Sequence, residues 1–234
     1  MHMKKEQEIE DIHSCEHCGR NFVRETTLIK HLCEQKRRWL DKDKTSNRVG
    51  YSSWKNYYNT HHPNKKNTEY TDFIKSSYFT AFVKFGSYCV DAGVINPSEY
   101  IKYLVSNHVS IDNWTSDLYY SRYLVDYLRR EDPYDAVKRS ANILSDMAQT
   151  ENIRIGDVLR YVNSNKMCYL ITTGKISPWI LYNSKSGVEF LSKLTQDQTN
   201  IVFDYIDPEK WNIKFKRDQH IISDIKYIIQ DLDL

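Results

Sequence analysis

The sequence predicts a mostly α-helical protein, with a small separate unit at the N-terminus followed by a domain of about six to eight helices. Three observations support this fold class. The chain has 234 residues, enough for one domain of ordinary size and a small appendage. From residue 69 onward, apolar residues recur at three- and four-residue spacing. The composition includes 18 Tyr, 8 Phe and 5 Trp, which is too aromatic for a disordered chain.

The cysteine count and the apolar runs narrow the class of protein further. Five cysteines is an odd number, and three of them lie within residues 15–33, which favours one metal site in a reducing compartment over a disulfide framework. No apolar run approaches the ~18 residues that a membrane span needs. The first 14 residues are charged and lack the apolar stretch of a secretory leader. We therefore expect a cytoplasmic protein with no membrane partner and no small-molecule cofactor.

Positive charge is concentrated in one part of the chain. The net charge is +2, yet residues 18–66 carry 12 basic and 4 acidic side chains, a net +8. The 17 residues before them sum to −3, residues 67–200 to −1 and residues 201–234 to −2. A block of this kind favours a polyanionic partner, and the alternative is a solvated linker.

The first element is a metal-binding motif in the segment CEHCGRNFVRETTLIKHLCEQKRRW, residues 15–39. Cys15 and Cys18 have a two-residue gap, and twelve residues separate Cys18 from His31, a spacing that brings a hairpin and a following helix to one tetrahedral zinc. Phe22 and Leu28 are placed to pack beside the metal. At these five positions the segment resembles the two-cysteine two-histidine zinc finger, which implies a ββα fold and bound Zn²⁺.

The fourth zinc ligand departs from the family pattern. The family places its second histidine at residues 35–37, where this sequence has no usual zinc ligand. We favour Cys33, because thiolate binds zinc well, although two residues apart on a regular helix lie on opposite sides. The prediction therefore requires the helix to end or unwind at His31–Leu32. His13 and His17 are the alternative ligands.

The resemblance also implies a surface for DNA or RNA. If the finger helix docks as in that family, four of its residues face base edges. They are Arg24, Thr26, Thr27 and Lys30. Because one finger covers only ~3 base pairs, the basic residues that follow are predicted to add phosphate contacts. These are Lys36, Arg37 and Arg38. Single fingers also serve as protein-docking modules, so a protein partner is the alternative.

The next segment, residues 41–68, is predicted to be a basic, aromatic linker between a finger over residues 1–40 and a helical domain over residues 69–234. Trp54, Tyr57 and Tyr58 have helix-like spacing, which favours packing on the following domain over stacking on unpaired bases. The segment ends in a polar stretch containing Pro63, which is typical of a loop.

The remaining chain is predicted helix by helix. Apolar spacing indicates helices over 73–89, 97–105, 115–130, 133–147, 155–163 and 219–232. Four prolines follow Asn, Asp or Ser and are placed to begin helices. They are Pro97, Pro133, Pro178 and Pro208. Residues 169–173 have β propensity but also suit a helix, and Gly187 is predicted to mark a break between two short elements.

The sequence shows no catalytic motif, so we predict a non-enzymatic nucleic-acid-binding accessory protein that delivers its helical domain to DNA or RNA. It has no Gly-x-Ser-x-Gly, His-Glu-x-x-His or Gly-rich dinucleotide loop. The alternatives are an assembly factor that uses the finger as a docking module, and a metal-dependent nuclease. The segments GKISPWILYNSKSG and FIKSSYFTAFVKFG resemble uncharacterised tailed-bacteriophage proteins, which implies the cytoplasm of an infected host and supplies no activity.

Overall fold

The computed structural model describes residues 12–62 and 69–234. The chain divides into two compact units, the first ending at Asp91 and the second spanning Ala92–Leu234. The predicted fold class is confirmed: a small two-stranded sheet near the N-terminus is followed by helices. The helices are more numerous than the six to eight predicted, because the helix predicted over 73–89 is divided in two and residues 164–217 form several further short ones.

The first unit contains two strands and five α-helices among the described residues. These are β1 (His13–Ser14), β2 (Asn21–Phe22), α1 (Glu25–Lys30), α2 (Glu34–Leu40), α3 (Thr45–His61), α4 (Tyr70–Lys75) and α5 (Phe79–Asp91). The strands pair antiparallel, with His13 opposite Phe22 and Ser14 opposite Asn21. The segment predicted as a linker thus contains the 17-residue helix α3.

The core of the first unit is built from aromatic rings on α3, α4 and α5. Trp54 is 2% exposed, and its ring lies 5.3 Å from that of Phe73 and 6.3 Å from that of Tyr51. The Tyr57 ring lies 5.5 Å from that of Phe82 on α5. Rings at these separations pack as ordinary core pairs. Thus these rings of the basic block face the protein interior, as their spacing favoured.

Helices α3 and α5 approach each other at two glycines. A Cβ atom built on Gly86 would lie 2.0 Å from the backbone oxygen of Ser46 and 2.7 Å from the backbone nitrogen of Gly50. A Cβ on Gly50 would lie 2.6 Å from the backbone oxygen of Phe82. The two helix backbones therefore meet directly, and no other residue type fits at Gly86 without displacing a helix.

The second unit contains ten α-helices and two short 3₁₀ helices. The α-helices are α6 (Pro97–Ser106), α7 (Asp117–Arg130), α8 (Pro133–Glu151), α9 (Val158–Tyr161), α10 (Ser164–Thr172), α11 (Pro178–Asn183), α12 (Lys185–Ser192), α13 (Gln196–Ile206), α14 (Pro208–Arg217) and α15 (Gln219–Asp231). The 3₁₀ helices are Ile111–Asn113 and Ile155–Asp157. The largest fully buried side chains of this unit include Trp114, Trp179 and Trp211.

The four prolines predicted to begin helices do so. Each occupies the first turn, and the residue before it caps the helix through a side-chain oxygen that accepts a backbone N–H. Asp207, for example, accepts from the N–H groups of Glu209 and Lys210, at 3.0 and 3.2 Å. These starts depend on adjacent residues, which is why the sequence located them.

Two predicted elements differ in detail. The helix predicted over 73–89 is divided between α4 and α5, because Ser76 is extended and its hydroxyl accepts the N–H of Tyr78 at 3.1 Å. Gly187 lies inside α12, and the break between α11 and α12 falls at Ser184. A Cβ on Gly187 would lie 2.5 Å from the Leu181 oxygen, so this glycine permits close packing and does not end a helix.

Of residues 169–173, for which strand and helix were both open, the first four end helix α10 and Thr173 is its C-cap. None of the helices in residues 12–62 and 69–234 combines the length and the apolar composition that crossing a bilayer requires. The predicted loop around Pro63 lies outside the described residues.

Candidate metal centre

The strands and the turn between them form the first half of the site. The backbone N–H of Cys15 donates to the oxygen of Arg20 at 2.9 Å, and the N–H of Gly19 donates to the oxygen of Cys15 at 2.8 Å. Gly19 has a φ of +73°, a conformation that favours glycine. This tight turn holds Cys15 and Cys18 close together, as a two-cysteine knuckle requires.

The chain between α1 and α2 forms the second half of the site. Helix α1 ends at Lys30, and His31 and Cys33 are both extended, with ψ of 120° and 166°. The predicted interruption at His31–Leu32 is therefore present. It allows two residues that would diverge on a regular helix to face one point. Cys33 also caps α2, its sulfur accepting the Lys36 N–H at 3.3 Å.

Four side chains converge at this point. The sulfur atoms of Cys15, Cys18 and Cys33 and a ring nitrogen of His31 all lie within 4.8 Å of one another. The Cys18 sulfur is 3.3 Å from His31 Nε2, which identifies that nitrogen as the ligand atom. Tetrahedral zinc with ~2.3 Å bonds to sulfur would separate its ligands by about 3.8 Å, so these residues fit one tetrahedral ion.

The alternative ligands lie outside this group. His13 is a strand residue of β1, and the His17 ring lies 5.9 Å from that of Trp39, with Nε2 3.4 Å from the Glu16 carboxylate. Across the described part of the chain, the four-residue group is the one set of three or more His, Cys, Asp or Glu placed to hold a metal. The structure therefore favours Cys33 as the fourth ligand.

The thiols differ in acidity. Burial acts to raise the pKa of Cys15, but N–H groups of Cys18 and His17 and the neighbouring thiols outweigh it, so the pKa of Cys15 lies below its ordinary value. The Arg20 amide acts to lower the pKa of Cys18, but burial together with Cys15 and Cys33 raises it above its ordinary value. Cys15 therefore loses its proton more readily than Cys18 does.

The small unit around the site has almost no apolar core. Over residues 12–46, Cys15 is the one fully buried residue, at 4% exposure. The Phe22 ring packs on the His31 ring at 4.8 Å, and Leu28 is half-buried beside them. Because so little apolar surface is removed from water here, the folding energy of this segment has to come largely from the bound ion.

The residues predicted to face base edges lie in helix α1 or at its N-cap. Helix α1 begins at Glu25, which is the helix start assumed in counting these positions back from His31. Their side chains are all exposed. They are Arg24, Thr26, Thr27 and Lys30.

The three basic residues of α2 separate into two groups. Arg37 is exposed and Lys36 is half-buried. The Arg38 guanidinium donates to the Ile74 oxygen at 2.6 Å, pairs with Glu34 and lies 4.2 Å from the Phe79 ring centre. Those contacts fasten α2 to α4 and α5, so the structure gives Arg38 a structural role.

Contacts that the sequence did not indicate join the finger to the helices. The Trp39 ring lies between the rings of His17 and Tyr70, at 5.9 and 6.0 Å. The Tyr70 hydroxyl donates to the Arg38 oxygen at 3.1 Å. Helix α4 therefore packs on α2, which directly follows the metal-binding residues. The residues in contact are 31 or more positions apart in the sequence.

The identity of the fourth ligand can be tested with Co²⁺ as a spectroscopic probe. We expect Cys33→Ser to weaken the sulfur-to-cobalt charge-transfer band and to lower Co²⁺ affinity by at least tenfold, because one thiolate of three is lost. His13→Asn and His17→Asn serve as matched controls and are expected to leave the band unchanged. A spectrum that responds to a histidine variant and ignores Cys33→Ser would contradict the assignment.

Fold and site together define a mostly helical protein with four ligand atoms arranged to hold one metal ion, compatible with a zinc finger. Comparison with protein-family models, with curated proteins and with solved structures finds no match. The bacteriophage resemblance thus remains a prediction from the sequence.

Proposed function

We propose that Zn²⁺ binds Cys15, Cys18, His31 and Cys33, and that the folded finger binds nucleic acid through α1 and the start of α2. Three thiolates and one imidazole form a soft donor set that favours zinc over hard cations. Zinc in such a closed site supplies folding energy and no reactive position. The role of the ion is therefore to hold α1 in place.

The observation that carries this proposal is a group of cations that pair with no carboxylate of the described residues. Between residues 20 and 44, two basic residues are in ion pairs: Arg38 with Glu34, and Lys44 with Asp41. Among the described residues, no carboxylate lies within 4 Å of the remaining charged heads between residues 20 and 37. These are Arg20, Arg24, Lys30, Lys36 and Arg37. Such cations are free to neutralise phosphates.

We expect Arg24→Ala/Lys30→Ala to lower affinity for DNA or RNA about tenfold or more, because two charge-assisted contacts are lost. Fluorescence anisotropy with labelled duplex DNA, single-stranded DNA and RNA measures the effect, at several salt concentrations. Lys193→Ala/Lys226→Ala removes the same charge from exposed sites in the second unit and should bind like the wild type.

Steep salt dependence is part of the same expectation, because bound phosphates release counterions. Failure of the metal-loaded protein to bind any of the three probes at low salt would overturn the proposal, and the control shows whether a loss reflects total charge alone.

A second candidate function, protein docking, is favoured by exposed apolar side chains near α1. Val23, Ile29 and Leu32 are 66%, 67% and 55% exposed. In a nuclease-treated lysate, a partner that the wild type captures and Ile29→Ser does not would favour this function. The nuclease alternative lacks an equivalent observation, since the one metal-binding group in the described residues is the thiolate-rich one.

A further inference from the structure

The second unit contains an open cavity lined mainly by cationic side chains. Its volume is about 590 Å³, and it lies between the C-terminal turn of α7 and helix α14. Asp126 and Ile213 complete its wall. The cations that line it are Arg129, Arg130, Lys210, Lys214 and Arg217.

This concentration of cations runs against the charge of the unit that contains it. Residues 92–234 carry 17 basic and 19 acidic side chains, a net −2. Five of the 17 basic side chains nevertheless line this one cavity. Cations in a concave surface with low-dielectric walls add their fields, so the local potential is positive although the unit is acidic overall.

The ion pairs around the cavity leave part of that charge uncompensated. Three carboxylates pair with its cations: Asp126 with Arg129, Asp207 with Lys210, and Asp218 with both Lys214 and Arg217. Five cations against three carboxylates leave a net +2. In the described part of the chain no carboxylate lies within 4 Å of Arg130, whose Nε donates to the Asp126 backbone oxygen at 3.4 Å.

Lys214 is a buried cation at the wall of this cavity. Its side chain is 8% exposed, and its ammonium group lies 2.6 Å from Asp218 Oδ2 and 5.6 Å from the centre of the Trp179 ring. A lysine so fully removed from water is uncommon. The Asp218 carboxylate compensates its charge and holds the ammonium group at the wall of the cavity.

We propose that this cavity binds phosphate groups. Phosphate oxygens are the acceptors that suit forked arginine donors and lysine ammonium groups together. The volume is within the ~300–1,000 Å³ range of small-ligand sites, so a nucleotide fits, and the open mouth also admits the backbone of a nucleic-acid strand. The site lies in a different unit from the finger and does not depend on it.

The test uses the full-length, zinc-loaded chain and two probes, ATP and a labelled single-stranded oligonucleotide. The oligonucleotide is measured in the Arg24→Ala/Lys30→Ala background, which removes the proposed finger contacts. Arg130→Gln/Arg217→Gln should lower affinity for the bound probe about tenfold or more, since two charge-assisted contacts are lost. The matched control is Arg122→Gln/Lys216→Gln, which removes equal charge from α7 and α14 outside the cavity.

Each outcome decides the proposal. Binding of ATP alone identifies a nucleotide as the source of the phosphate, and binding of the oligonucleotide alone identifies a strand. Lys210→Gln, at a half-exposed lysine, provides a milder variant should the double variant fold poorly. If neither probe binds, or if the cavity variants bind as the control does, the cations serve only the helix ends and the proposal is overturned. Loss of finger binding leaves this result untouched.

Discussion

Removing Zn²⁺, or replacing Cys18 by Ser, is expected to unfold the metal-binding segment and to abolish nucleic-acid binding. Isolated zinc-finger peptides gain about 10–16 kcal/mol from their metal, more than the net stability of most domains. In this protein no other source of comparable size exists over residues 12–46, where Cys15 is the one buried residue. The loss of folded structure in this segment, and of nucleic-acid binding, should therefore be complete.

The measurements are metal content and amide resonances. Elemental analysis should find about one Zn²⁺ per chain in the wild type and close to none in Cys18→Ser. Amide signals of residues 12–33 should collapse to random-coil positions, while those of the second unit stay dispersed. Cys89→Ala is the matched control: burial raises the pKa of that thiol to about 12, and it lies outside the four-residue group. Full zinc content in Cys18→Ser would contradict the assignment of the ligands.

Replacing Gly86 by Ala is expected to destabilise the first unit severely. The added methyl group would lie 2.0 Å from the Ser46 backbone oxygen, and backbone cannot rotate away as a side chain does. Helices α3 and α5 must therefore separate, which loosens the packing of the Tyr57 ring of α3 on the Phe82 ring of α5. We expect a loss of about 3 kcal/mol or more, the upper range for overpacking a core.

Calorimetry and amide hydrogen exchange of α3 and α5 measure this effect. The melting temperature of the first unit should fall by about 10 °C or more, given about 4–8 °C per kcal/mol for a domain of 60–100 residues. Lys84→Ala, an exposed site on the same helix, should change it little. A Gly86→Ala protein as stable as Lys84→Ala would show that α3 and α5 do not meet at their backbones.

Much of the metal site was predictable, because its geometry is encoded over short distances in the chain. The two-residue gap after Cys15 and the twelve-residue gap before His31 fix a hairpin followed by one helix. The requirement that the helix stop at His31–Leu32 follows from the 3.6-residue period alone. Proline after a capping residue located four helix starts in the same way, since each cap involves groups two or three residues apart.

Other features were decided by partners distant in sequence. Arg38 belonged to a basic run, yet its guanidinium donates to Ile74, 36 residues away, and packs on Phe79. In the sequence, Gly86 is one position in an apolar pattern. The structure shows why a side chain is excluded there, because the backbone of α3 lies against it. Composition and periodicity predict that a side chain is buried, but they do not identify the distant residues that it contacts.

The sequence by itself thus determined the helical class, four helix starts and three ligands of the candidate metal site, with Cys33 favoured as the fourth, because spacing and capping are properties of neighbouring residues. Only the tertiary structure decided which cations of residues 20–44 pair with a carboxylate of the described residues and which do not. It also gathered Arg129 and Arg130 with basic residues about 80 positions later into one cavity. The reason is physical: electrostatic potential and burial depend on distance in space, and folding sets that distance independently of separation along the chain.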